Sequence, residues 1–119
     1  MLLIEYPKCS TCQKAKKWLE DNGFTFETRH IKEDNPRFDE LQAWQKASGL
    51  PLKKFFNTSG LLYKSMNLKE KLPLMSEEEQ LALLATDGML VKRPVLIAGD
   101  VILTGFREKE WAQRLLGKE

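Results

Sequence analysis

Cys9 and Cys12 are the only two cysteines in the chain, and they form a Cys-x-x-Cys motif, Cys9-Ser10-Thr11-Cys12. An apolar run, Leu2-Leu3-Ile4-Glu5-Tyr6, precedes the motif, and a lysine-rich amphipathic segment follows it. Where a strand turns into a helix at such a motif, the first sulfur sits at the helix N-terminus. Unpaired backbone N–H groups and the positive end of the helix dipole stabilise a thiolate there. The second cysteine, three residues on, is near enough to close a disulfide with the first. The motif therefore reads first as thiol redox chemistry. The plain alternative is a pair of inert buried thiols, but the strand–turn–helix setting supplies the electropositive surroundings that reactivity needs. Zinc is not expected, because it takes about four ligands and His30, the one histidine, lies in a different segment.

A second constellation is Lys92-Arg93-Pro94, directly before an apolar run. Proline opening a strand can take the cis form. In a thioredoxin-like fold this loop faces the cysteine loop, which would set Arg93 beside Cys9. Spacing alone fits equally well an ordinary strand-opening turn with a solvated arginine. Arg107 raises the same pair of readings at the start of the last helix. His30, at a strand end, reads as solvated or hydrogen-bonded. Trp18, Trp44 and Trp111 fall at helix core spacing, and Met66, Met75 and Met89 read as gap fillers.

The elements that must position these residues follow from periodicity. Residues 2–6 alternate as a strand, and 10–22 have helical spacing, with Cys12, Ala15, Trp18 and Leu19 on one face and a stop at Asn22-Gly23. Residues 24–31 read as a second strand. Asn35-Pro36 opens a helix, with asparagine as cap and proline in the first turn, and its apolar face is Phe38, Leu41, Trp44 and Ala47. Short helical pieces fill 52–74, broken at 57–60 and at Pro73. Ser76 and Glu79 form a capping box for a helix carrying Leu81, Leu84 and Ala85. Two close strands, 95–98 and 101–104, are joined by Gly99-Asp100 as a tight hairpin. A last helix from about Glu108 buries Trp111, Leu115 and Leu116. The order is β-α-β, a helical block, then β-β-α. This predicts an α/β, thioredoxin-like fold with a mixed four-stranded sheet and a helical insertion at about 35–88, in a single domain over 1–119.

Composition is compatible with that unit. Of the 119 residues, 42% are apolar, enough for a core, and 30% are charged, as on a soluble surface. A net charge of +2 gives no footprint for direct nucleic-acid binding or for a membrane surface. The N-terminal apolar stretch is too short for a signal peptide, and no window approaches the roughly 20 apolar residues of a membrane span. Two cysteines without a signal suit a reducing cytoplasm.

Taken together, four stretches resemble the arsenate reductase (ArsC)/Spx family of thioredoxin-like proteins, in its uncharacterised arsenate-reductase-like branch. They are Tyr6 to Ala15, Leu52 to Gly60, Leu90 to Pro94 and Gly105-Phe106-Arg107. The resemblance spans nearly the whole chain in the right order. It implies Cys9 as the nucleophile, Arg93 and Arg107 as oxyanion-binding arginines, and a cis-proline at Pro94. Arginines that neutralise an oxyanion and favour the thiolate remove the obstacle of like charge. The need is plain, since a free cysteine is only about 3% thiolate at pH 7. Some arsenate reductases of the family carry a third arginine, which Asn57-Thr58-Ser59-Gly60 lacks. Lys53 or Lys54 could replace it only by facing inward.

Two functions follow from the resemblance. One is a thiol–disulfide redox protein, with Cys12 as resolving thiol, acting on arsenate, a related oxyanion or a disulfide. It would need no cofactor or metal, and a thiol reductant (thioredoxin, glutathione or glutaredoxin) would restore it. The other is an Spx-like redox-sensing regulator that binds the RNA polymerase α subunit, with Cys9–Cys12 as the switch. A monomer is expected in either case, because no heptad pattern or long apolar surface is evident.

Overall fold

Alternation along the first strand decides the layering. In the computed structural model, which describes residues 1–117, strand β1 (Leu2–Glu5) lies inside a sheet with β2 (Glu27–His30), β3 (Val95–Ala98) and β4 (Val101–Thr104). Residues 118 and 119, the end of the expected unit, lie outside the described residues. The strand order is β2-β1-β3-β4. β1 runs parallel to β2, and the β1–β3 and β3–β4 pairs are antiparallel. The helices are α1 (Ser10–Asp21), α2 (Phe38–Ser48), α3 (Leu61–Ser65), α4 (Leu68–Lys71), α5 (Glu77–Leu84) and α6 (Glu108–Leu116). This is the mixed α/β, thioredoxin-like arrangement that the pattern predicts, with α2 to α5 inserted between the β-α-β and β-β-α halves. Among the described residues no helix is long and apolar enough to cross a membrane.

Successive strand side chains point to opposite faces, so Leu3 and Ile4 enter different cores, and both are fully buried. Leu3, Leu96 and Leu103 stand in register on one face, where Ala15 and Leu19 of α1 and Trp111 of α6 cover them. Ile4 and Val95 stand in register on the other, where the insertion supplies Leu41, Phe55, Phe56 and Leu84. Each fully buried side chain of this size contributes about 1.5–3 kcal/mol. The sheet is thus sandwiched, which holds the ends of β1, β3 and β4 in fixed relation.

Several boundaries have local causes visible in the sequence. α1 ends where the Asn22 side-chain amide donates to the Trp18 carbonyl at 2.8 Å and Gly23 takes φ +77°. α5 starts on a reciprocal box: the Glu79 N–H donates to Ser76 Oγ at 3.1 Å, and the Ser76 N–H donates to the Glu79 carboxylate at 2.8 Å. A 3-10 turn over Gly88–Leu90 passes so close to β2 that a Cβ at Gly88 would stand 1.7 Å from the Ile31 carbonyl oxygen.

Other expectations are corrected. The second strand covers only Glu27–His30 rather than 24–31. Phe24 and Phe26 instead pack into the core beneath α1 and α6, with Phe24 stacked on Trp18. α2 starts at Phe38 with Arg37 as its cap, not with Asn35-Pro36. The Asn35 amide is engaged elsewhere, donating to the Ala85 carbonyl at 2.8 Å. Ala47 and Leu116 lie on outer helix faces and are exposed. One structural residue was not singled out in the sequence at all. Arg29 donates twice to the Glu40 carboxylate, at 2.6 and 2.9 Å, and also to the Asp34 and Asn35 carbonyls, tying β2 to α2. Trp111 is fully buried and Trp18 and Trp44 are partly so, in keeping with their core spacing.

Candidate active site

Beyond Glu5 the chain turns through Tyr6-Pro7-Lys8. The Cys9 N–H donates to the Tyr6 carbonyl at 2.9 Å, and the Gln13 side-chain amide donates to the Pro7 carbonyl at 2.9 Å. The turn delivers Cys9 to the N-cap of α1, with extended backbone (φ −91°, ψ 119°), where its carbonyl accepts the Gln13 N–H at 3.1 Å. One helical turn on, Cys12 shares the inner face with Ala15 and Leu19 and is fully buried. Both are free thiols, Cys9 partly exposed.

The two sulfurs are driven in opposite directions. Burial pushes the Cys9 thiol up, but the Cys12 N–H, the Cys12 thiol, and the hydrogen-bonding capacity and charge of Arg93 together outweigh it, so the group lies below its ordinary value. Cys9 closes no complete capping bond through its side chain. The Cys12 N–H and the Arg93 guanidinium act by favouring the charged sulfur over the neutral one. Cys12 is pushed up to about 12, first by burial, then by Cys9 and by the charge of Glu5, against a hydrogen bond from the Tyr6 backbone. Glu5 itself is buried, with one oxygen 3.6 Å from Lys16 Nζ and the other without a partner.

The Arg93 side chain has two contacts, and its backbone leads into the proline loop. Its Nη1 contacts the Met89 sulfur at 3.9 Å, its guanidinium lies over the Tyr6 ring, and the following Arg93–Pro94 peptide bond is cis. Met89 thus meets the site through its contact with Arg93; a lone methionine gives no signal of that in sequence. The Pro94 carbonyl accepts the Gly105 N–H at 2.8 Å, and Gly105 (φ +71°) passes its own carbonyl to the Trp111 indole N–H at 3.1 Å. These bonds draw the end of β4 and the start of α6 to the proline loop.

The insertion supplies the facing wall. A lone antiparallel bridge joins Phe56 to Val91, with Asn57 N–H to the Leu90 carbonyl and Lys92 N–H to the Phe55 carbonyl, both at 2.8 Å. A cleft of about 650 Å³ opens between these parts. Cys9, Lys53, Lys54, Lys92, Arg93 and Arg107 line it, and among the described residues no carboxylate does. Thr11, Asn57, Thr58 and Ser59 add polar groups. The structure thus brings Cys9, Arg93 and Arg107 to one cleft with Cys12 directly behind. Lys53 and Lys54, both exposed, line the cleft from the 3-10 turn Leu52–Phe55, ahead of the 57–60 stretch that lacks a third arginine. Lys92 was noted in sequence only as the neighbour of Arg93. His30 lies outside the cleft, its Nδ1 accepting from the Lys32 and Glu33 N–H groups.

Fold and site together define a thioredoxin-like dithiol protein with a cationic cleft over one sulfur. The chain belongs to the ArsC family, whose family model matches residues 4–114. It is 56% identical over 108 residues to the uncharacterized protein YusI of Bacillus subtilis, covering 91% of this chain and 92% of that one. The crystal structure of a possible arsenate reductase from Streptococcus mutans superposes with a TM-score of 0.83 at 46% identity, over 89% of this chain and 90% of the other. The global transcriptional regulator Spx of Enterococcus faecalis is 26% identical over 111 residues, 92% of this chain and 82% of that protein.

Proposed function

We propose that this chain is a cytoplasmic thiol–disulfide oxidoreductase in which Cys9 attacks an anionic substrate and Cys12 resolves the product. The opposite tuning of the two sulfurs carries this reading. A partly exposed sulfur favoured as thiolate sits in front of a buried one held as thiol. Burial alone would raise Cys12 in an inert pair too; what an inert pair would lack is the Cys12 N–H and the Arg93 guanidinium favouring the Cys9 thiolate.

With a disulfide substrate, the Cys9 thiolate forms a mixed disulfide and expels one thiolate. Cys12 then loses its proton, attacks the Cys9 sulfur and expels the second. The dithiol gives up two electrons and the substrate takes them. With a pentavalent oxyanion such as arsenate, Cys9 displaces an oxygen from the central atom as water. The Cys12 attack then leaves that atom reduced by two electrons. Arg93 and Arg107 would bind the anion, and Lys53 and Lys54 would stand in for a third arginine. An external thiol reductant restores the pair.

The test is turnover of the purified protein with arsenate and with a disulfide, in wild type, Cys9→Ser and Cys12→Ser. Cys9→Ser should abolish turnover and Cys12→Ser should accumulate an adduct on Cys9, read by mass spectrometry. Equal turnover in wild type and Cys9→Ser would sink the reading. The relation to Spx supports a second function, a redox switch that contacts RNA polymerase. Redox-independent pull-down results with the polymerase α subunit would count against it.

A further inference from the structure

We infer that the substrate is an elongated anion: a low-molecular-weight disulfide whose acidic tail is held away from Cys9, in a side groove formed by Lys54, Arg107 and Arg114. The inference rests on the dithiol reading above and specifies its substrate. A groove of about 100 Å³ adjoins the main cleft and shares Lys54, Thr104 and Arg107 with it, adding Arg114 and Ser48. Among the described residues Glu110 is the one carboxylate in its lining, set against the three cations, which leaves the wall net positive.

Size argues first. The main cleft, at about 650 Å³, falls in the range of roughly 300–1,000 Å³ typical of sites for organic ligands. A tetrahedral oxyanion displaces on the order of 100 Å³, scaled from about 30 Å³ per water. An oxyanion alone would leave most of the cleft and all of the groove to solvent.

Charge argues next. Arg93 is the cation that favours the Cys9 thiolate. Lys54, Arg107 and Arg114 continue the positive surface beyond it, and none has an ion-pair partner among the described residues. Cations gathered in a concave surface repel one another until an anion neutralises them. Ser48 adds no competing charge, its hydroxyl being turned to the Gln45 carbonyl. The guanidinium forks of Arg107 and Arg114 suit a carboxylate or another planar or tetrahedral oxygen anion.

In the reaction, Cys9 attacks the disulfide sulfur that carries the tail held in the groove. The partner half leaves as a thiolate, and Cys12 then expels the tail-bearing half as a second thiolate. The external thiol reductant restores the dithiol.

The test measures Cys9 attack on three disulfides at low and high salt. The probes are 4,4′-dithiodibutyrate (a dianion), bis(2-hydroxyethyl) disulfide (neutral) and cystamine (a dication). Each rate is divided by that of 2-mercaptoethanol with the same disulfide, which removes intrinsic electrophilicity. The dianion should exceed the neutral probe by about tenfold at low salt, with the advantage shrinking as salt screens exposed charges. Arg114→Glu and Lys54→Glu, each checked for folding by circular dichroism, should each lower the dianion-to-neutral ratio several-fold. Equal normalised rates in wild type, or an unchanged ratio in both variants, would overturn the groove while leaving the dithiol chemistry standing. No reaction of Cys9 with any probe would instead remove the reading beneath it.

Discussion

The guanidinium carbon of Arg93 lies 5.2 Å from the centroid of the Tyr6 ring. Tyr6 belongs to the turn that delivers Cys9, and Arg93 to the loop that ends in the cis-proline. The cation–π contact therefore links the two loops directly at the reactive sulfur. An exposed contact of this kind is worth about 0.5–1 kcal/mol, enough to bias where the arginine dwells.

Alkylation of Cys9 by iodoacetamide should show a midpoint below the ordinary thiol value of about 8.5. Arg93→Ala should move that midpoint upward and slow alkylation at pH 7 several-fold, and Tyr6→Leu should move it in the same direction by less. A midpoint indifferent to Arg93 would mean that the arginine does not act on the sulfur.

The resolving step should carry a different pH signature. Burial, the first cause of the Cys12 rise, persists when Cys9 is tied up in a mixed disulfide and its charge is gone, so the Cys12 thiolate fraction still rises through pH 7 to 9. Closure of the Cys9–Cys12 bond from a preformed Cys9 mixed disulfide should speed up by about tenfold per pH unit between pH 7 and 9, following thiolate content. Initial capture by Cys9 should level off earlier. Stopped-flow measurement of released thiol separates the two phases, and parallel profiles would refute the asymmetry.

Acid stability should depend on the staple between β2 and α2. Hydrogen bonds from Arg29 hold Glu40 down to about 2, against some burial penalty and with help from the Arg37 N–H. A carboxylate depressed in the folded state contributes stability at pH values above its unfolded range. That contribution is lost as pH falls from about 4.5 towards 2. Glu40→Gln should cost about 2 kcal/mol at pH 7, and the gap to wild type should narrow as pH falls from about 4.5 to 2. Urea titrations at pH 7, 4 and 2.5 check the sign.

Gly88→Ala should lower the thermal midpoint by more than any surface substitution. The added methyl group would overlap the Ile31 carbonyl oxygen, which is backbone and cannot swing aside. Overpacking of this kind costs about 1–3 kcal/mol. A shift of less than 2 °C would show that the turn relaxes at little cost.

The helices with local signals were readable from residues alone. The Ser76–Glu79 box, the Asn22-Gly23 stop and the Gly99-Asp100 hairpin depend on neighbours within a few positions. Residues whose partners are distant in sequence carry no such local cue. Asn35 has the chemistry of a cap, yet the Ala85 carbonyl, 50 residues on, takes its amide. Phe24 and Phe26 suit a strand, but Phe24 stacks on Trp18 and both pack against the core around Leu3 and Trp111. At the site, Cys9 and Cys12 stand out by motif, whereas spacing leaves Arg93 and Arg107 evenly split between the site and a solvated surface, because only the fold brings their loops to Cys9. Lys53 and Lys54 are ordinary surface lysines by composition, and only the 3-10 turn aims them at the cleft. Met89 gives no sequence signal because its contact with the Arg93 guanidinium, four residues on, depends on how the intervening loop turns.

The Phe56–Val91 bridge makes the cleft a stiff frame rather than a jaw. Because the lysine-bearing turn and the proline loop share backbone hydrogen bonds on both sides of that bridge, they translate together. A load applied to Lys53 or Lys54 by a seated ligand is thereby transmitted to the segment that carries Arg93. Such a frame discriminates by fit to a preset aperture, and its selectivity should be built into rigid dimensions rather than acquired by closing around the guest.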